Sequence, residues 1–310
     1  MWSLNKRKYP RAEKQSLHAL LPAFEVLAPP VLKSPIILAS PHSGRHYPAS
    51  FLQQTSVSLA QLRQSEDSYV DEMIKPLAQY DIPVLHALFP RCFVDVNRSA
   101  NDWPPESISR RSVLDDKNPF QAHQRYSSSH AHAGLGVIPT RISHGLPIYA
   151  YPLAPKLIQA RLDTLYHPYH EALQALIGMA KSKFGHAIVL DFHSMPGEKV
   201  SGKKRADFIL GDRFGKSCAP ETINTLHKLL SARGYTVTRN LPYAGGFITD
   251  YYGQVSERVD AVQIEINKDL YLDQDTLTPH SGMGKLIEDI QKVVLAFKDT
   301  DTTTMPLAAQ

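Results

Sequence analysis

HAIVLDFHSMP, residues 186–196, decides how this chain reads. AIVL is an apolar run too short for a helix and well suited to a strand buried on both faces. Asp191, Phe192 and His193 follow it directly. Side chains alternate along a strand, so Asp191 and His193 share one face. Neither belongs in an oily core. A buried strand that turns polar at its carboxyl end is where open α/β sheets carry their functional groups.

Working outward, the same form recurs. PIILAS (35–40) is an apolar run that leads into PHSG and so delivers His42. IPVLHALF (82–89), RCFVDVN (91–97), ADFILGD (206–212), YTVTRN and AVQIEIN also read as strands. RCFVDVN delivers Asp95 and Asn97, with Arg98 next, and AVQIEIN delivers Glu265 and Asn267. Between the strands lie helical patterns. EDSYVDEMIKPLAQY has Val70, Met73, Ile74 and Leu77 at helical spacing, with Ser65 as its N-cap. Residues 155–185 form the longest pattern, with a break expected at Pro168. Further helices are expected from Pro220 to Arg233 and over HSGMGKLIEDIQKVVLAFK. Strands alternating with helices predict an α/β fold, a mostly parallel or mixed sheet covered on both faces.

The chain has 310 residues, of which 43% are hydrophobic, enough for a sizeable core. We expect a single domain over 1–310, with loose tails at 1–15 and 298–310. Residues 99–150 are rich in Asn, Asp, Pro, Ser and His, and read as a loop-rich cover over the active site. The net charge of +4 is mild, and it is concentrated in the first fifteen residues, which argues against nucleic acid as a partner. No apolar stretch approaches the roughly 18–20 residues that span a bilayer, and no apolar segment follows the basic start, so neither a membrane nor a signal peptide is expected. Two cysteines, Cys92 and Cys218, cannot build a disulfide scaffold or a thiolate zinc site. A reducing, cytoplasmic setting follows. Nothing in the sequence indicates the oligomeric state.

Two histidines and one carboxylate from separate elements make the ligand set of a hydrolytic zinc site with a fourth position open to water. His42 and His193 supply the imidazoles. Asp67 is the favoured carboxylate, with Glu66 close behind. Glu265 lies in a strand whose other face is apolar, so it is a buried acid placed to act as the base for the bound water. Asp191 can orient His193 through its second ring nitrogen. Arg98 offers a two-pronged contact to a substrate carboxylate, assisted by Asn97. Arg141 and Arg91 are candidates for a second anion contact or for polarising the scissile carbonyl. GxSxG, P-loop and dinucleotide fingerprints are all absent.

The blocks SPHSGRHYP, EDSYVDEM, FPRCFVDVNR, GLGVIPTR, DFHSMP, ADFILGDRFGKSC, LPYAGGFITDYYG and QIEINKDLYLD, in that order, resemble the N-formylglutamate amidohydrolase family. The resemblance runs from about residue 35 to 295. It implies a metal-dependent deformylase that converts N-formyl-L-glutamate to glutamate and formate, on a fold similar to zinc carboxypeptidases and zinc-dependent muramoyl amidases. Carried over, it implies His42, Asp67 (or Glu66) and His193 on zinc or another divalent metal, Glu265 as base, and Asn97–Arg98 on a substrate carboxylate. Zinc carboxypeptidases place the acid three residues after the first histidine, and here that position is Arg45. The remaining readings are an amidase for another N-acyl amino acid or a peptidoglycan-type substrate, a ligand-binding protein without turnover, and a purely structural α/β protein.

Overall fold

A computed structural model describes residues 2–105, 107, 128–142, 145–197 and 205–301. Seven strands form a mixed sheet: β1 (Phe24–Leu27), β2 (Ile36–Ser40), β3 (Val84–Ala87), β4 (Ala187–Met195), β5 (Phe208–Gly211), β6 (Val237–Arg239) and β7 (Val259–Asn267). Their order across the sheet is β1-β3-β2-β4-β7-β5-β6. β4 pairs in parallel with β2 and with β7, whereas β5 runs antiparallel to β7 and parallel to β6. The chain falls into two compact units: Met1–Glu25, Pro41–Ser68 and His86–Leu173 in one, and Val26–Ser40, Tyr69–Leu85 and Gln174–Gln310 in the other.

In the second unit, alternation sorts the strands into two faces. Ile188, Leu190 and Phe192 of β4, with Val262, Ile264 and Ile266 of β7, join a core built with residues of helices Val70–Ile74, Pro220–Ser231 and Gly282–Asp301. Each of these side chains is 3% exposed or less, so each contributes on the order of 1.5–3 kcal/mol of burial. The opposite face of the same strands carries Asp191, His193, Gln263, Glu265 and Asn267. Apolar burial on one side therefore fixes which way the polar groups point. The Pro220–Ser231 helix closes through Gly234, whose φ of +86° suits glycine.

The first unit is organised around a buried arginine. Arg161 lies under Phe93, its guanidinium carbon 3.7 Å from the ring centroid. It donates to both Glu13 oxygens at 2.5 and 2.9 Å, to Tyr149 Oη at 2.7 Å and to Phe93 O at 3.0 Å. Four of the five N–H donors of this buried cation are thereby answered. The expectation of a loose tail over 1–15 is corrected here: Trp2–Ala19 is a helix, and Glu13 is 2% exposed. At the other end the last helix runs to Asp301, and 302–310 lie outside the described residues.

Three local expectations also change. Residues 91–97 are turns, not a strand. Phe93 N–H donates back to Pro90 O at 2.9 Å, and the Asp95 carboxylate takes the Asn97 N–H at 2.8 Å, so local bonds replace ladder bonds. The helix expected from Ser65 begins only at Val70, after Tyr69 in the left-handed region, and tightens into a 3-10 helix over Lys75–Tyr80, which contains Pro76. Before Pro168 the long helix widens into a π turn at Leu162–Tyr166. Proline lacks the N–H that would bond four residues back. Of the 99–150 segment, residues 106, 108–127 and 143–144 lie outside the described residues. Among the rest, Asp102 accepts from Ser128 N and Oγ at 3.0 and 2.7 Å.

Candidate metal centre

β4 and β7 pair with His193 opposite Glu265, Asp191 opposite Gln263 and Met195 opposite Asn267. Partnered residues on adjacent strands lie about 5 Å apart and share a face. His193 Nε2 is 2.9 Å from Asp191 Oδ2, and both side chains are buried. A carboxylate only accepts, so Nε2 carries the proton and the lone pair stays on Nδ1.

β2 pairs with β4 up to Ala39 opposite Asp191, and His42 follows the end of β2 by two residues. Its ring is held in a like manner. His42 Nε2 is 2.7 Å from Asp95 Oδ1. Asp95 also accepts from Arg91 Nη2 at 2.8 Å. Burial alone would raise the Asp95 carboxyl, but the charges of His42, Arg91 and Arg98 and the His42 hydrogen bond outweigh it and hold the group well below the usual carboxylate range. His42 Nδ1 faces Asp67 Oδ2 at 3.3 Å. A lone pair and a carboxylate oxygen at that distance call for a cation, either a proton on the ring or a metal ion. Two zinc bonds of about 2.0 Å at a tetrahedral angle span a similar distance.

A ligand atom from each of His42, Asp67 and His193 lies within 4.8 Å of the others, and all three residues are buried. This group could bind a metal ion. Two imidazoles, each held at Nε2 by its own carboxylate, together with one further carboxylate, suit a hydrolytic divalent metal.

The adjacent acid takes other partners. Glu66 accepts from Arg63 Nε at 3.1 Å and from Ser68 Oγ at 2.8 Å. Asn97 is buried. Arg98 donates through Nε to Leu135 O and through Nη1 to Asn97 O, each at 3.0 Å, so its guanidinium is fixed in place. Arg141 is exposed and donates from Nη1 to Gly145 O at 2.6 Å. Two contributions were missed from sequence. Asp95 was visible as a chemistry-bearing residue but not as the carboxylate behind His42; its i,i+4 spacing from Arg91 was the available clue. Gln263 was seen to share a face with Glu265, but not that its Nε2 donates to Glu265 Oε1 at 2.7 Å.

A mixed α/β sheet with an imidazole–carboxylate cluster at its strand ends could hold a metal ion, and the comparisons with known proteins make the chain a hydrolase acting on amide bonds. The N-formylglutamate amidohydrolase family model matches residues 34–272, and the chain belongs to that family. The solved structure of N-formylglutamate amidohydrolase from Ralstonia eutropha JMP134 is 31% identical, superposes with a TM-score of 0.82, and the match covers 91% of this chain and 99% of that one. The N-formylglutamate deformylase of Pseudomonas aeruginosa is 27% identical over 266 residues, 84% of this chain and 90% of that protein. The deformylase of Pseudomonas putida is 25% identical over 245 residues, 77% of this chain and 82% of that protein. No helix among the described residues is long and apolar enough to cross a membrane.

Proposed function

We propose that the protein is a metal-dependent amidohydrolase that cleaves N-formyl-L-glutamate to L-glutamate and formate. Family membership and the two deformylases support the substrate. The observation that carries the mechanism is the buried His42–Asp67–His193 group beside a strand that pairs His193 with Glu265. Those three residues would hold zinc or another divalent cation. Such an ion, when bound, polarises the formyl oxygen and lowers the pKa of a bound water toward about 7.

The chain's own groups do the rest. Glu265 takes a proton from the attacking water and returns it to the departing amine as the C–N bond breaks. Asp95 and Asp191 keep the two imidazoles in the tautomer that presents Nδ1. Arg98, fixed by two main-chain carbonyls, holds a substrate carboxylate with Asn97. Arg141 supplies positive charge for the developing oxyanion. The substrate is thus a small N-acylated acidic amino acid. Cys92 and Cys218 are buried and form no disulfide, which fits a reducing, cytoplasmic setting.

His193→Ala tests the reading. Elemental analysis should find the metal lost, and hydrolysis of N-formyl-L-glutamate should fall to background; retained turnover would refute it. A panel of N-formyl, N-acetyl and N-succinyl amino acids, assayed on the native protein, should show the formyl-glutamate compound turned over fastest.

A further inference from the structure

We propose that Gln263 is a positioning residue that divides the labour between the two oxygens of Glu265, and that Oε2 alone carries the proton in turnover. The proposal rests on the reading of Glu265 as the base. Both residues are buried, on the same face of β7. A glutamine amide has an accepting end and a donating end, and these are ordinarily hard to tell apart. Here the surroundings decide. Gly246 N–H, which can only donate, lies 2.8 Å from Gln263 Oε1. The amide nitrogen must therefore face Glu265, and it donates to Glu265 Oε1 at 2.7 Å.

Glu265 Oε1 is thereby committed as an acceptor. A proton placed on it would set two donors head to head. In the reaction the water O–H bond breaks and its proton goes to Oε2. The electron pair stays on the water oxygen, which bonds to the acyl carbon. When the C–N bond breaks, the Oε2 proton moves to the leaving nitrogen. Oε1 keeps its bond to Gln263 throughout, so the carboxylate does not rotate between the two transfers.

The anchor behind Gln263 is rigid. Gly211 of β5 lies opposite Gln263, and a Cβ there would stand 2.7 Å from Ala244 C and 2.8 Å from Gly245 N. The loop carrying Gly246 thus presses directly on the sheet. Arg213 N–H donates to Ala244 O at 2.8 Å, and Thr249 Oγ1 donates to Gly246 O at 2.9 Å. The sequence PYAGGF, which serves no role in the mechanism above, gains one here: its backbone sets the direction of the amide that aims the base.

The test uses three variants of the full chain. Gln263→Met keeps the length and removes both hydrogen bonds. It should lower kcat about 10–100-fold, the usual loss for a group that orients a functional residue. KM for N-formyl-L-glutamate and the bound metal should stay within about twofold of the native values. Gln263→Glu can still accept from Gly246 but turns an acceptor toward an acceptor, so it should be slower than Gln263→Met. An unchanged kcat in Gln263→Met, a loss seen only in KM or metal content, or a Gln263→Glu as fast as the native protein would each overturn the proposal. Glu265→Gln separates the two readings. If it retains hydrolysis, the base assignment fails; if it is inactive while Gln263→Met turns over normally, only the role of Gln263 fails.

Discussion

Asp191 is a buried carboxylate that accepts a hydrogen bond from His193 Nε2 at 2.9 Å. Asp191→Asn keeps the shape but can present an N–H to His193, which would draw the lone pair of the ring to Nε2 and leave Nδ1 protonated. Metal affinity, read by competition with a chelator, should weaken about 10–100-fold while the fold persists. An unchanged affinity would show that Asp191 does not set the tautomer. His170 gives a second test at this scale. It is buried and its Nε2 is 2.9 Å from Val96 O. Burial lowers its pKa, the Val96 carbonyl opposes, and His167 adds to the lowering, with a result of about 4. The unfolded chain, with a histidine near 6.5, binds that proton more readily than the folded one. The stability tied to His170 is therefore complete above about pH 6.5 and drains away as pH falls toward about 4. His170→Gln can still donate to the carbonyl and does not titrate. Its denaturant stability relative to the native protein should improve across that window, and parallel curves would sink the assignment.

Gly245 tests the loop that leads into the helix Phe247–Tyr252. It sits at φ +123°, and a Cβ there would stand 2.3 Å from Thr249 Oγ1. Gly245→Ala should cost roughly 1–3 kcal/mol, seen as a lower melting temperature, because strain and clash act together. Turnover should fall with it, since Gly246 N–H would move off Gln263. Elements also show what could be read from the chain alone. β4 and β7 were legible to within a residue or two because apolar alternation and burial agree there. The polar face that carries Asp191, His193 and Glu265 followed from the same alternation. RCFVDVN was misread because its apolar residues imitate a strand, while the Asp95 side chain offers its own backbone a better bond. The choice between Asp67 and Glu66 was open in the sequence for a different reason. Adjacent residues in a turn diverge by an amount no periodicity predicts, and only the hydrogen bonds of Glu66 to Arg63 and Ser68 show where each one goes.

For the whole molecule, the N-terminal helix matters more than its basic composition suggests. Arg161 is fully buried and relies on Glu13 for two of its hydrogen bonds. Glu13→Ala would leave a desolvated cation with only neutral partners, at a cost of about 3–5 kcal/mol. Deleting the first fifteen residues should cost at least as much. Chemical denaturation of both proteins checks this, and stability equal to that of the full chain would show the pair to be idle. The sheet holds a further consequence. His193 and Glu265 stand opposite each other only while β4 and β7 keep their present alignment, and the same alignment sends Phe192 and Ile264 into the oil. A slip of one position would turn both acts inside out together. Heat that melts this sheet should therefore extinguish turnover with it, and turnover that outlasts the loss of the sheet's circular-dichroism signal would refute the link.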